Sequence, residues 1–199
     1  MSDASRTTTL LLEGLLDPAN VAVWTEFDER YRPVVQAVAR RLGLDDHDAA
    51  DVAQETMTVF LRDYQAGKYD RTRGRLGAWI VGIARHRIAE LRRARARRQE
   101  WRGDSAVSEL PGADELVDWW EHECRAEVLR RALHLLRTRT RFDAATIRAF
   151  EQVAIEDRAP GDVASELAIS LDAVYAARSR CTAQLRVFLG ELHRAYELD

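Results

Sequence analysis

Apolar residues recur along this chain at steps of three and four, the spacing that gathers side chains on one face of an α-helix. Trp24, Phe27, Tyr31, Val34, Val35, Val38 and Leu42 make the first such stripe. Asp17 and Pro18 precede it as a candidate N-cap and first helical residue. Pro33 is expected to kink or split this helix, and Gly43 fits its C-terminal cap. A second helix is predicted from about Asp46 to Gln65, ended by Gly67. Val52, Thr56, Val59, Phe60 and Tyr64 form its apolar face, and Asp51, Gln54, Glu55, Thr58 and Arg62 fall on the opposite side. A third helix starts near Leu76, with Leu76, Trp79, Ile80, Ile83, Ile88 and Leu91 as its stripe; from Arg92 to Arg98 arginine takes over. The pattern resumes from about Leu116 to Leu136, through Leu116, Trp120, Val128, Leu129, Ala132, Leu135 and Leu136. It returns over roughly Asp143 to Ile155. No stretch alternates as a half-buried strand does. The pattern therefore predicts an all-α fold.

Residues 99–115 mix Gly, Ser, Pro and scattered acids and read as a linker. The expected organisation is two small helical domains, 17–98 and 123–199, joined by an acidic linker (99–122) and preceded by an N-terminal tail (1–16).

The clearest local signal lies near the C-terminus. Pro160–Leu167 reads as a short helix, Ala168-Ile169-Ser170 as a tight turn, and Leu171 opens a longer helix with Ser170 as its N-cap. A helix-turn-helix needs a small residue where the helices touch, which Ala164 supplies, and apolar residues about the turn, which Leu167, Ile169 and Val174 supply. Its second helix buries one face and offers the other to the major groove. Leu171, Val174, Cys181, Leu185 and Phe188 are expected inside. Ser170, Asp172, Ala173, Tyr175, Arg178, Ser179 and Arg180 are candidates for the DNA side, with Ala168 where glycine is commoner.

Composition narrows the remaining choices. The chain has 199 residues, 46% of them hydrophobic, which suffices for one medium domain or two small ones. Two cysteines, Cys124 and Cys181, make neither a disulfide framework nor a metal motif, and both are expected as reduced thiols in a cytoplasmic protein. No apolar run approaches the roughly 20 residues that span a bilayer, so no membrane insertion is expected. The Leu10–Leu12 run, broken by Glu13 and Gly14, makes a poor signal peptide.

Charge changes the picture more. The net charge is only -3, yet residues 71–102 hold eleven arginines against Glu90 and Glu100. Residues 103–127 hold eight acids against Arg125 alone. A concentrated basic block is the footprint of a nucleic-acid partner even where the whole chain is acidic. The acidic segment reads either as a solvated tether or as a screen that folds back on the arginines. Lys68 is the only lysine, so 29 of the 30 cations are guanidinium groups suited to phosphates and guanine edges; genomic base composition explains that bias equally well.

With these residues in view, the chain resembles bacterial sigma factors of the extracytoplasmic function group, in the sigma-70 superfamily, over roughly 18–98 and 123–192. Asp48-Ala49-Ala50-Asp51-Val52-Ala53-Gln54-Glu55 and the apolar run after it resemble that family's core-polymerase-binding helix. The resemblance implies that Asp51, Gln54, Glu55, Thr58 and Arg62 dock on the polymerase. Tyr69–Ile80 is similar to the segment leading into the promoter-melting helix. Ile83–Arg93 resembles the helix that reads the minus-ten element, with His86 where Asn is common and Glu90 where Asp is common. Lys68, Arg71, Arg73, Arg85, His86, Arg87, Arg92 and Arg93 would then contact DNA, the arginines mainly at phosphates, which position without specifying. The helix-turn-helix corresponds to the domain that reads the minus-thirty-five element. Arg137-Thr138-Arg139-Thr140-Arg141 departs from the family, which usually carries Leu-Pro and then acidic or polar residues there. The resemblance implies a transcription initiation factor without enzymatic chemistry or cofactor, whose partners are core RNA polymerase, promoter DNA and, in many members, an anti-sigma factor.

Two rivals belong beside it. A conventional helix-turn-helix regulator would act on a palindromic site without being a polymerase subunit. An all-α enzyme would have Asp45, Asp46, His47, Asp48 and Asp51 as its best metal ligands, but acids at a helix start are favoured by the dipole alone.

Overall fold

The computed structural model describes residues 8–70, 72, 74–100 and 111–197. Among them lie eight α-helices and no strand: α1 (Thr8–Gly14), α2 (Val21–Arg41), α3 (Asp46–Gln65), α4 (Leu76–Glu100), α5 (Ala113–Arg139), α6 (Ala144–Ala154), α7 (Pro160–Leu167) and α8 (Leu171–Tyr196). The chain divides into two compact units, one of Thr8–Glu127 and one that begins at Val128.

In the first unit α2, α3 and α4 pack on one another. α3 starts where the Asp45 carboxylate accepts the Asp48 N–H at 2.9 Å, and ends at Ala66, with Gly67 in the left-handed region at φ +71°. Gly67 is suited to that conformation because it has no Cβ. Phe27, Phe60, Met57, Ile80 and Ile88 are buried at the centre, with the Phe27 and Phe60 rings stacked at 4.8 Å.

Three local expectations change. α2 begins at Val21, capped by Asn20 through the Val23 N–H (3.3 Å); Asp17 accepts the Ala19 N–H instead. Pro33 does not split α2. Its missing N–H removes one bond, while Val34, Val35 and Val38 beyond it are all buried, and that packing carries the helix through. Residues 8–14, inside the expected tail, form α1. Leu11, Leu12 and Leu15 are buried, and the Thr8 and Tyr31 hydroxyls share a hydrogen bond of 2.7 Å.

α5 begins at Ala113, inside the expected linker, and its residues up to Glu127 belong to the first unit. Leu116, Trp120 and Cys124, four residues apart, are buried. Trp120 stacks on Tyr31 at 5.8 Å and lies over Gly77, where a Cβ would meet its Nε1 at 2.3 Å. Glu121 pairs with Arg75 (3.1 Å) and Glu123 with Arg41 (3.8 Å), whose guanidinium lies 4.6 Å from the Trp119 ring centre. Glu and Asp around this stripe give the segment a linker's composition and a core helix's periodicity, and burial follows the periodicity. Residues 101–110, and with them Asp104 and Glu109 of the expected acidic screen, lie outside the described residues.

In the second unit α6, α7 and α8 pack together around Ala149, Val153, Val163, Val174 and Ala177, with Ala164, Leu167 and Ile169 against that cluster. Asp143 caps α6 through the Thr146 N–H (2.7 Å), Pro160 opens α7, and Ser170 caps α8 through the Ala173 N–H (3.1 Å). Ala168 closes α7 at φ +52°. Leu171, expected on the inner face, is 44% exposed. It opens α8 at the edge of the buried stripe of Val174, Ala177, Cys181 and Phe188.

Candidate functional site

α3 turns Val52, Thr56, Met57 and Phe60 inward, and helical spacing then sends Asp51, Gln54, Glu55, Thr58 and Arg62 outward; all five are exposed. Asp51 faces His47 across one turn at 3.2 Å. That imidazole has its pKa raised by a hydrogen bond with its own backbone and then by the Asp51 charge. The Thr58 hydroxyl donates to the Gln54 carbonyl at 2.9 Å. Gln54 and Glu55 present amide and carboxylate to solvent without an ion pair among the described residues. Arg62 is less free: it and Lys68 both hold Asp63, at 3.0 and 2.9 Å. Those bonds, Lys68 first, keep the Asp63 carboxyl below its ordinary range.

On α4 the basic residues divide. Arg85 and Arg93 are exposed. Arg92 turns back and donates to the Leu42 carbonyl at 2.6 Å, at the C-terminal end of α2, so it serves packing as well as surface charge. Arg95, absent from the sequence-based candidates, pairs with Asp48 of α3. Its spacing from Arg92 already placed it on the same side, but nothing in the sequence named its partner. The two departures from the family pattern meet each other. His86 Nε2 lies 3.1 Å from Glu90 Oε1, and Arg87 Nη1 lies 2.7 Å from the other Glu90 oxygen. Arg71 and Arg73 lie outside the described residues.

Beside these groups a cavity of about 330 Å³ opens between α3 and α4, lined by Val59, Arg62, Asp63, Ala78, Trp79, Gly82, Ile83, His86 and Arg87. Sequence reading did not find it. The signal was available: Trp79, Gly82, Ile83 and His86 share one helical face, and a glycine in that face leaves an indentation. Trp79 is half-buried, 5.0 Å from Tyr69 and 5.2 Å from Phe60 between ring centres. It is thus both part of the core and a wall of the cavity.

In the second unit Ser170, Asp172, Tyr175, Arg178, Ser179 and Arg180 are exposed and Ala173 is half-buried. The Ser170 hydroxyl is spent on capping α8. The Arg180 guanidinium lies 5.9 Å from the Phe142 ring centre.

The rival metal cluster is taken apart by the same geometry. Asp45 caps α3, Asp46 pairs with Arg40 (2.6 Å), Asp48 with Arg95 and Asp51 with His47. Among the described residues no group of three His, Cys, Asp or Glu is placed to hold a metal ion, and no helix is long and apolar enough to cross a membrane.

No curated protein matches the chain. A protein-family model described as Sigma-70 region 2 matches residues 27–98, which take in α2 from Phe27, the whole of α3 with its outward Gln54 and Glu55, and α4 as far as Arg98. The helices that carry the outward polar stripe and the arginine block are thus the part of the chain that matches Sigma-70 region 2.

Proposed function

We propose that this protein is a sigma factor of the extracytoplasmic function group. It binds core RNA polymerase, directs it to promoters and helps open the duplex, with no chemistry of its own. In this reading Asp51, Gln54, Glu55, Thr58 and Arg62 form the polymerase surface. Arg85, His86, Arg87 and Arg93, with Lys68, Arg71, Arg73 and Arg92, serve the minus-ten side. Asp172, Ala173, Tyr175, Arg178, Ser179 and Arg180, opened by Ser170, serve the minus-thirty-five side. The observation that carries the reading is the Sigma-70 region 2 match over a domain whose Gln54 and Glu55 point away from its core. The exposed outer side of α8 supports a second DNA contact. Promoter DNA, an anti-sigma partner and a cytoplasmic location belong to the same proposal.

In vitro transcription tests it. Core polymerase with the purified chain should give discrete transcripts from promoters of the same genome, and none when the chain is omitted. Silence at every promoter, with symmetric half-sites protected in the absence of polymerase, would assign the protein to conventional regulators instead.

A further inference from the structure

The Arg-Thr-Arg-Thr-Arg segment has no place in the reading above, and the structure builds it into the last turn of α5 and the short connection to α6. Arg137 is committed to Glu151 of α6 at 2.6 Å. The Thr140 hydroxyl donates to the Leu136 carbonyl (2.7 Å) and accepts the Phe142 N–H (3.3 Å). The Asp143 carboxylate, the one acid in that connection, is taken up by the N–H and hydroxyl of Thr146. Those bonds hold it below its ordinary range. Arg141 is left exposed and makes no ion pair among the described residues. Phe142 lies under Arg180 of α8. A guanidinium over an aromatic face keeps its hydrogen-bonding edge free while losing side-chain freedom.

Helical spacing then separates the two arginines of the reading helix. Residues two apart on a helix lie about 200° apart around its axis. The buried stripe of Val174, Ala177 and Cys181 thus lies between Arg178 on one flank and Arg180 on the other. Asp172, Tyr175, Ala176 and Ser179 occupy the outward face. A helix seated in the major groove meets base edges with its outward face and the two backbones with its flanks.

We infer that Arg141 and Arg180, joined through Phe142, form a clamp for the phosphate backbone of duplex DNA on one wall of the groove, with Arg178 on the opposite wall. The inference rests on the helix-turn-helix being a DNA reader. Base selection then falls to Asp172, Tyr175 and Ser179, and the departure of residues 137–141 from the family pattern is an added backbone contact.

The test is the salt dependence of full-chain binding to a fluorescent duplex of about 30 base pairs of random sequence, read by anisotropy. Each lost phosphate contact lowers the slope of log K against log salt by about 0.9. Arg141→Gln and Arg180→Gln should each lower it by that amount, equally on two unrelated duplexes. Arg194→Gln removes the same charge about 20 Å further along α8 and should leave the slope unchanged. An Arg141→Gln slope equal to wild type, while Arg178→Gln loses affinity, overturns the clamp and leaves the DNA reading standing. The clamp is equally overturned if Arg141→Gln weakens only binding to core polymerase. If Arg141→Gln, Arg178→Gln and Arg180→Gln all bind as wild type, the DNA reading of this domain falls and the clamp with it.

Discussion

Gly77→Ala tests the docking of the first half of α5, because its sign depends on that docking. Gly77 sits in the first turn of α4. A helical glycine replaced by alanine ordinarily gains about 0.5–1 kcal/mol. Here the new Cβ would stand 2.3 Å from Trp120 Nε1 and 2.6 Å from its Cδ1, more than an ångström inside ordinary contact. Trp120 cannot swing aside freely: it is 6% exposed and stacked on Tyr31. Overpacking of this kind costs about 1–3 kcal/mol, which outweighs the propensity gain, so the variant should be less stable by roughly 1–2 kcal/mol. Trp120→Ala alone should cost about 3–5 kcal/mol. In that background Gly77→Ala should turn stabilising by about 0.5–1 kcal/mol, a coupling of about 1.5–3 kcal/mol, within the range for residues in contact. Urea unfolding followed by tryptophan fluorescence is the assay, since all five tryptophans precede Val128 and report on the first unit alone. A rise in stability on Gly77→Ala in both backgrounds refutes the docking.

Ala168 occupies the left-handed region at φ +52°, where a Cβ costs about 1–2 kcal/mol, so Ala168→Gly should raise the melting temperature of the second unit by a few degrees; a fall contradicts the turn geometry. Burial pushes the Tyr31 hydroxyl up to about 12 against the Thr8 hydrogen bond. Its contribution is intact below pH about 10 and is lost as pH rises toward 12, where the unfolded chain ionises first; two pKa units correspond to about 3 kcal/mol. Unfolding at stepped pH should show that fall in wild type and a flatter profile in Tyr31→Phe; parallel profiles contradict it. Cys124 and Cys181 are buried, and burial raises both thiols, so a thiol reagent at neutral pH should modify neither until urea unfolds the chain; rapid labelling of either one in native buffer contradicts their placement.

Much of this fold was written in local chemistry. α3 runs from Asp46 to Gln65 as its cap residues Asp45 and Gly67 dictate, and Ser170 and Pro160 place α8 and α7 where their capping preferences put them. What local chemistry could not carry was tertiary. α1 is seven residues long, too short for a period to show, and it forms because Leu11, Leu12 and Leu15 find a surface to bury against. The first turns of α5 carry the predicted stripe of Leu116 and Trp120 among six acids, Asp114 to Glu127, but where that stripe docks is revealed only at Gly77, forty-three positions before Trp120. At the surfaces, exposure of Gln54, Glu55, Tyr175 and Arg178 followed from helical spacing. The commitments of Arg92 to Leu42, Arg95 to Asp48 and Arg180 to Phe142 depend on neighbours that no spacing names.

The most direct measurement is equilibrium binding of the labelled full chain to core RNA polymerase, for wild type, Gln54→Ala and Glu55→Ala. A hydrogen bond to a charged partner is worth about 1.5–3 kcal/mol, so each substitution should weaken binding by roughly ten- to a hundredfold while circular dichroism stays unchanged. Absence of binding, or affinities for both variants equal to wild type, would contradict α3 as the face that seats the polymerase.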